Sequence, residues 1–387
     1  MRIGMMADAY KPKVSGVTSY IELSKRWLEK AGHEVFVFTF GEPDYHDDEA
    51  NIIRSPGVPL VDTGFYLSLR YNRTARQLLY TMDILHVHHP FISGSLALTY
   101  GIPRNIPIIF TNHSRYDLLT NAYLPILPDS FGETAMRAYL PPFCQACDLV
   151  VAPSASMRTI LQEFGVDVPV EVIPNGVELE AILTCSSLVN RQEFGFSHQD
   201  VVLTYVGRLA PEKNLPLLLR AFRGVASAYD HARLLLVGDG PEKERLKILA
   251  ENLKLKNLIF LNPEPRENMR KIITSFDTSV VPLKKLDIFK GAIPSKIFEA
   301  LASKKPILLG VEGEAQDLFI SEGKCGLSFV PENSDDLVIK IMELYNAPSQ
   351  AKKLGLNGFN YISKNFNNDL IANEFWNLLN SNEIKLK

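Results

Sequence analysis

"YVGRLAPEKNLPLLLRAF", residues 205–222, reads as the end of a buried strand, a turn and the opening of an amphipathic helix. Gly207 lets the chain turn, Pro211 suits a first helical turn, and Arg208 and Lys213 place two cations between strand and helix. A solvated loop carries such a pair for solubility alone, so the turn by itself leaves function open. Its pattern still says where to look. Strands alternating with helices build a parallel, doubly wound sheet. Ligands of such sheets bind beyond the carboxyl ends of the strands.

The same unit repeats along the 387-residue chain. "RIGMMA" opens as a strand, and residues 17–31 then put Val17, Tyr20, Ile21, Trp27, Leu28 and Ala31 on one helical face. "HEVFVFTF", "DILHVHHP", "PIIFTNH" and "DLVVAPS" follow as buried strands. After "VEVIPNGVELE" the pattern restarts with "VVLTYVGRL", "RLLLVGDG", "NLIFLN", "TSVVPL", "PILLGV" and "GLSFV". The fold class expected is α/β, with two Rossmann-like, doubly wound domains. The boundary falls near 175–195, where Pro174, Asn175 and Gly176 mark a turn. We expect a first domain over 1–180, a second over 181–365, and a final helix within 366–387 that packs back on the first domain through Phe375 and Trp376.

Composition narrows the classes. A net charge of −3 advertises no nucleic acid. No apolar run approaches the roughly 18 residues of a membrane span, and "MRIGMMADAY" does not read as a secretory signal. A cytoplasmic protein, peripheral on the membrane face at most, is expected. Cys144 and Cys147 form a CxxC without further ligands at zinc spacing, and a strand follows the pair, so they read as structural, like Cys185 and Cys325. All 18 arginines lie at or before Arg270, while residues 271–387 carry 14 lysines. That shift is either local drift or the meeting of two parent sequences between about 240 and 270.

Two further elements carry candidate chemistry. "ADAYKPKVSGVTSY" lacks a G-x-G-x-x-G, yet Gly16 at a helix start offers backbone N–H groups to an anion. "GAIPSKIFEALASKKPILLG" starts a helix at Pro294 and Ser295, with Lys296 in its first turn and Glu299 one turn on. A carboxylate there accepts two ribose hydroxyls, or simply faces solvent. No Asp-x-Asp metal motif is present, so no obligatory metal is expected; phosphate charge would fall to Arg208, Lys213 and helix N-termini.

The order of the Gly16 loop, "TNHSRYD", "VIPNGVE", "VGRLAPEKN", "LLLVGDGPE" and "PSKIFEALASKKPIL" resembles the retaining glycosyltransferases of family 4, with the GT-B fold of two facing Rossmann-like domains. The N-terminal half is most similar to diacylglycerol glucosyltransferases and phosphatidylinositol mannosyltransferases. The C-terminal half is more similar to amino-sugar transferases of surface-polysaccharide assembly, which bears on the two-parent reading. The resemblance implies that Arg208 and Lys213 hold the diphosphate of a nucleotide-sugar, UDP favoured over GDP. It implies that Gly16 and Gly207 approach the phosphates, that His113 lies over the sugar, and that Glu299 binds the ribose. Many members carry a glutamate where this chain has Gly291, and Ser295 with Lys296 would take over part of its role. Attack on the face from which the diphosphate departs is then the implied route.

The acceptor is expected on the first domain. In "GFYLSLRYNRTARQLLYTM", leucines mingle with Arg70, Arg73 and Arg76, whose spacing puts them along one side of a helix. Basic amphipathic segments bind anionic membranes, although an exposed helix needs no such partner. Residues 123–143 form a further apolar, proline-bounded segment, suited to a lipid groove. Together they favour a lipid or lipid-linked acceptor. The alternatives are a nucleotide-sugar-binding protein with little or no turnover, an engineered hybrid, and a sugar-nucleotide epimerase on the same fold.

Overall fold

The computed structural model describes all residues except 14, 43–44, 61–64, 117–128, 180–190, 265 and 381–387. Cys185 and residues 123–128 of the 123–143 segment therefore lie outside the described residues. The chain divides into two compact units, Met1–Gly176 with Asn368–Lys387, and Val177–Asn367.

The first unit contains β1 (Arg2–Met6), β2 (Glu34–Gly41), β3 (Ile52–Pro56), a short antiparallel pair β4 (Val58–Pro59) and β5 (Tyr66–Leu67), then β6 (Ile84–Val87), β7 (Ile108–Thr111), β8 (Leu149–Ala152) and β9 (Val170–Val172). Seven of these form one sheet in the order β3-β2-β1-β6-β7-β8-β9, with every pairing parallel. The strands are near-continuous apolar runs because both faces of the sheet are covered. On one face Ile21 and Leu28 of the helix Gly16–Lys30 meet Ile3, Met5, Val35 and Val37. On the other, Met6, Phe38, Phe40, Tyr71, Phe110 and Phe143 form the larger core. The helix Asn368–Asn380 belongs to this unit: the Phe375 ring lies 5.2 Å from that of His86, and Trp376 lies 4.1 Å from His33.

The second unit holds β10 (Val201–Val206), β11 (Ala232–Val237), β12 (Leu258–Leu261), β13 (Thr278–Pro282), β14 (Ile307–Gly310) and β15 (Gly326–Ser328), in the order β12-β11-β10-β13-β14-β15. All are parallel. The helix Leu215–Ala228 buries Leu218, Phe222 and Val225 against one face; Phe196, Ile272 and Phe276 cover Val202, Leu235 and Val237 on the other.

In each sheet the strand order reverses once, between β1 and β6 and between β10 and β13. At such a reversal the helices on either side leave in opposite directions and open a crevice at the carboxyl ends. In the second unit glycines shape that edge. Gly207 has φ +140°, and a Cβ on Gly238, at φ +153°, would stand 1.9 Å from the Gly207 carbonyl oxygen. The turn after β10 thus rests directly on the backbone of the turn after β11, joined by Leu209 N–H to the Asp239 carbonyl at 2.8 Å. Gly238→Ala is expected to cost about 3 kcal/mol or more from strain at positive φ plus displaced backbone. Thermal unfolding measures it, and an unchanged melting temperature would contradict this account of the edge.

Candidate active site

The site in the second unit begins where β10 ends. Its last turn residues run Gly207, Arg208, Leu209, Ala210, then a single 3-10 turn at Pro211–Lys213 and Asn214 in the left-handed region at φ 50°. Leu209 and Ala210 are buried, which anchors the turn and leaves the Arg208 side chain exposed, with no ion pair or side-chain hydrogen bond among the described residues. Lys213 turns back over the site: its Nζ lies 3.6 Å from Glu212 and 5.7 Å from the centre of the Phe289 ring. Lys284 N–H donates to the Glu212 carbonyl at 3.1 Å, tying the segment after β13 to this turn.

The helix Lys296–Ala302 completes the cluster. Buried Ile297, Phe298 and Leu301 fix its inner side. Lys296 Nζ packs 3.7 Å from the centre of the Tyr205 ring, beneath Gly207. Burial, with Lys213 adding to it, pushes the Lys296 pKa well down; Glu299 and Glu212 pull the other way. The Tyr205 hydroxyl donates to the Arg208 carbonyl at 2.8 Å, and burial raises its pKa. Two cations, a buried amine, two carboxylates and a ring thus gather at one switch point. Ser295 is the exposed residue before this helix, and its side chain makes no capping bond.

In the first unit the ends of β1, β6 and β7 present a histidine cluster. His86 Nε2 pairs with Thr111 Oγ1 at 2.8 Å, the His86 and His88 rings lie 4.1 Å apart, and His88 Nδ1 pairs with His113 Nε2 at 3.1 Å. The Tyr20 ring lies 4.8 Å from that of His113, edge-on, and burial lifts the Tyr20 pKa to about 12. Burial lowers the pKa of His86 to about 3 and those of His88 and His113 well below the ordinary value, so the rings are neutral. Gly16 opens its helix behind Ser15, whose hydroxyl and Thr18 form a capping box. A Cβ on Gly16 would meet nothing within 4 Å, and its φ is not positive, so neither packing nor backbone requires glycine there.

Two family models match the chain: "Glycosyltransferase Family 4" over residues 14–181 and "Glycosyl transferases group 1" over 187–361. An alpha-monoglucosyldiacylglycerol synthase of Streptococcus pneumoniae is 30% identical over 329 residues, covering 80% of this chain and 70% of that protein. The chain belongs to glycosyltransferase family 4. An alpha-monoglucosyldiacylglycerol synthase of Acholeplasma laidlawii is 27% identical over 370 residues, covering 90% of this chain and 89% of that protein. The crystal structure of Anabaena HepE with UDP and glucose superimposes with a TM-score of 0.74 at 18% identity, covering 98% of this chain and all of that one. Two Rossmann-like domains, as in the GT-B fold, are thus common to this transferase and its structural neighbours.

Several polar strand-end residues of this transferase do structural work. Asp8 accepts from Ser93 N–H at 2.7 Å and caps the helix Ile92–Gly101, Ser154 caps Ala155–Glu163, and Asp239 accepts from Gly240 N–H. The arginine stripe needs correction. The helix spans Arg73–Leu79 behind an Asn72 cap, so Arg70 precedes it and the three arginines do not share one helical face. Asn72 accepts the Ala75 N–H and starts the helix late. Pro141 and Pro142 likewise lie inside the helix Asp129–Gln145 rather than bounding a segment. Cys144 and Cys147 are free, and burial raises both thiols.

The neutral histidines set a pH limit. Each binds a proton in the unfolded chain near 6.5 but not in the fold, so stability is full above 6.5 and falls with pH below it. Each contributes about 1.4 kcal/mol per pH unit in that window. The melting temperature is expected to drop between pH 7 and pH 5, with a shallower drop in His86→Asn. A flat profile, or an equal slope in the variant, would refute it.

Proposed function

We propose that this family 4 enzyme is a retaining transferase that moves a sugar from a UDP-sugar to a hydroxyl of a lipid or lipid-linked acceptor at a membrane surface. The observation that carries the donor reading is the convergence of Arg208, Lys213 and Lys296 with Glu299 at the β10/β13 switch point. Arg208 stands free to bind phosphate oxygens in a bidentate contact, and Lys213 adds a point charge. Glu299 is assigned to the ribose, with Ser295 beside it. Stabilising the departing diphosphate with preorganised cations supplies most of the catalysis, together with positioning. Among the described residues no group of three or more His, Cys, Asp or Glu is placed to hold a metal ion. The proposed charge partners of the diphosphate are the Arg208 and Lys213 side chains.

His113 is assigned to the sugar. A neutral ring there exchanges hydrogen bonds with hydroxyls without a net charge to solvate. Gly16 is assigned to a ligand that approaches the backbone, since nothing in the fold itself needs glycine at that place. Gly16→Ala is expected to keep or raise the melting temperature while lowering turnover.

Calorimetric titration with UDP and with GDP in the presence of EDTA tests the donor site. Micromolar UDP binding is expected, indifferent to EDTA and weakened at least about 30-fold in Arg208→Ala, the loss of a charge-assisted contact of roughly 2 kcal/mol. Binding of neither nucleotide would sink the reading.

The acceptor side rests on exposed apolar residues. Val58, Leu60, Leu67 and Leu69 are exposed on and around the β4–β5 pair, Leu69 to 96%, beside exposed Arg70 and Arg73. Leucines flanked by arginines suit an anionic bilayer. No helix among the described residues is long and apolar enough to cross a membrane. Vesicles containing anionic lipid are expected to sediment the protein, less so at high salt and in Arg70→Glu with Arg73→Glu. Equal binding to neutral vesicles, or none to either, would count against it.

A further inference from the structure

Lys296 has surroundings that phosphate binding alone does not explain. Its Nζ is buried and makes no hydrogen bond among the described residues. The Tyr205 ring lies beneath it at 3.7 Å, and the missing side chain of Gly207 leaves it room: a Cβ there would stand 3.2 Å from Nζ. The charged groups facing it are Lys213 and Glu212 from the turn after β10 and Glu299 from its own helix. An ammonium in this place has given up its water without gaining an ion pair, a costly arrangement that a neutral amine avoids. The Tyr205 ring face offers it some compensation. Burial and Lys213 nevertheless outweigh the carboxylates and hold the group well below the usual lysine range.

Glycosyl transfer releases a proton. The bond from the sugar's anomeric carbon to the diphosphate breaks, and its electron pair leaves on the phosphate oxygen. The acceptor oxygen bonds the same carbon, and its O–H bond breaks. Arg208 cannot accept that proton, because a guanidinium has no lone pair to offer. A phosphate oxygen takes it first, being nearest to the attacking hydroxyl in same-face attack. We infer that the lone pair of Lys296 Nζ is where this proton comes to rest, passed on from the phosphate oxygen. The amine then becomes an ammonium as the diphosphate acquires its additional negative charge. An uncharged base beneath Gly207 turns into the third cation at the moment a third cation is needed. This inference rests on the donor-site reading of Arg208 and Lys213.

Binding of the free nucleotide reproduces the product state and gives the test. UDP, or GDP if that is the nucleotide bound, is titrated into the whole protein at about pH 8, where a terminal phosphate, with a second ionisation near 6, is already deprotonated. The titration is run in two buffers of different ionisation enthalpy. The expected result is a binding enthalpy that differs between the buffers by an uptake approaching one proton per nucleotide. Lys296→Arg, permanently charged, is expected to bind with the uptake gone; Lys296→Gln repeats that arm should arginine not fit over Tyr205. Nucleotide binding with the same enthalpy in both buffers overturns the inference and leaves the donor site standing. So does an uptake that survives in the folded variants. Absence of any nucleotide binding overturns both.

Discussion

The close contact between the turns after β10 and β11 is the constraint on which the donor half depends. Leu209 N–H reaches the Asp239 carbonyl, Gly207 N–H reaches the Val237 carbonyl, and Glu242 N–H returns to the Leu209 carbonyl. Backbone approaches backbone this closely because Gly238 and Gly240 carry no Cβ, and with Gly207 they sit at positive φ, which glycine adopts freely. The consequence is positional. With its main chain pinned from below, the turn must project Arg208 outward and fold Lys213 back over Phe289. The Lys284 N–H bond to the Glu212 carbonyl then adds a tie from the segment after β13.

Much of this was legible in the sequence because parallel strands buried on both faces are continuous apolar runs. "TYV", "LLLV" and "ILLG" can be little else between glycine-rich turns, and all six strands of the second sheet fall on such runs. The short edge strand Ile52–Pro56 was not legible. Its outer neighbours are polar, Arg54 pairs with Asp47 and donates to the Lys11 carbonyl, and no periodicity marks it. The late start of the Arg73–Leu79 helix was missed for a local reason: the arginine spacing is helical, but the Asn72 cap outweighs it.

The site was legible in part. A basic turn after a strand and a carboxylate in a first helical turn are visible as motifs, which makes Arg208, Lys213, Lys296 and Glu299 candidates from the sequence, and the fold brings Lys213, Lys296 and Glu299 together. Tyr205 was not, because within an apolar strand a tyrosine reads as core, and only the fold brings Lys296 onto its ring. Nothing in "DILHVHHP" singles out His88. Its pairing with His113 spans adjacent parallel strands, and such register is invisible along one chain. Asp8 is marked by no motif either, and its carboxylate accepts the Ser93 N–H and closes a helix terminus.

The two units solve opposite electrostatic problems by the same means, burial. In the first, burial strips charge from His86, His88 and His113 and leaves a cluster of neutral, hydrogen-bonded rings. In the second, it strips charge from one amine while Arg208 stays in solvent. Under the proposed reading the first suits sugar hydroxyls and the second a diphosphate. Hydroxyls carry no charge, and a cationic ring facing them would pay for desolvation and gain little in return. Phosphates are charged throughout, and cations fixed before the ligand arrives cost no reorganisation when the bond breaks. A site with three permanent cations would also hold its product tightly, which slows release. A cation that exists only while the diphosphate is present avoids that conflict, because loss of its proton weakens the grip on the departing nucleotide.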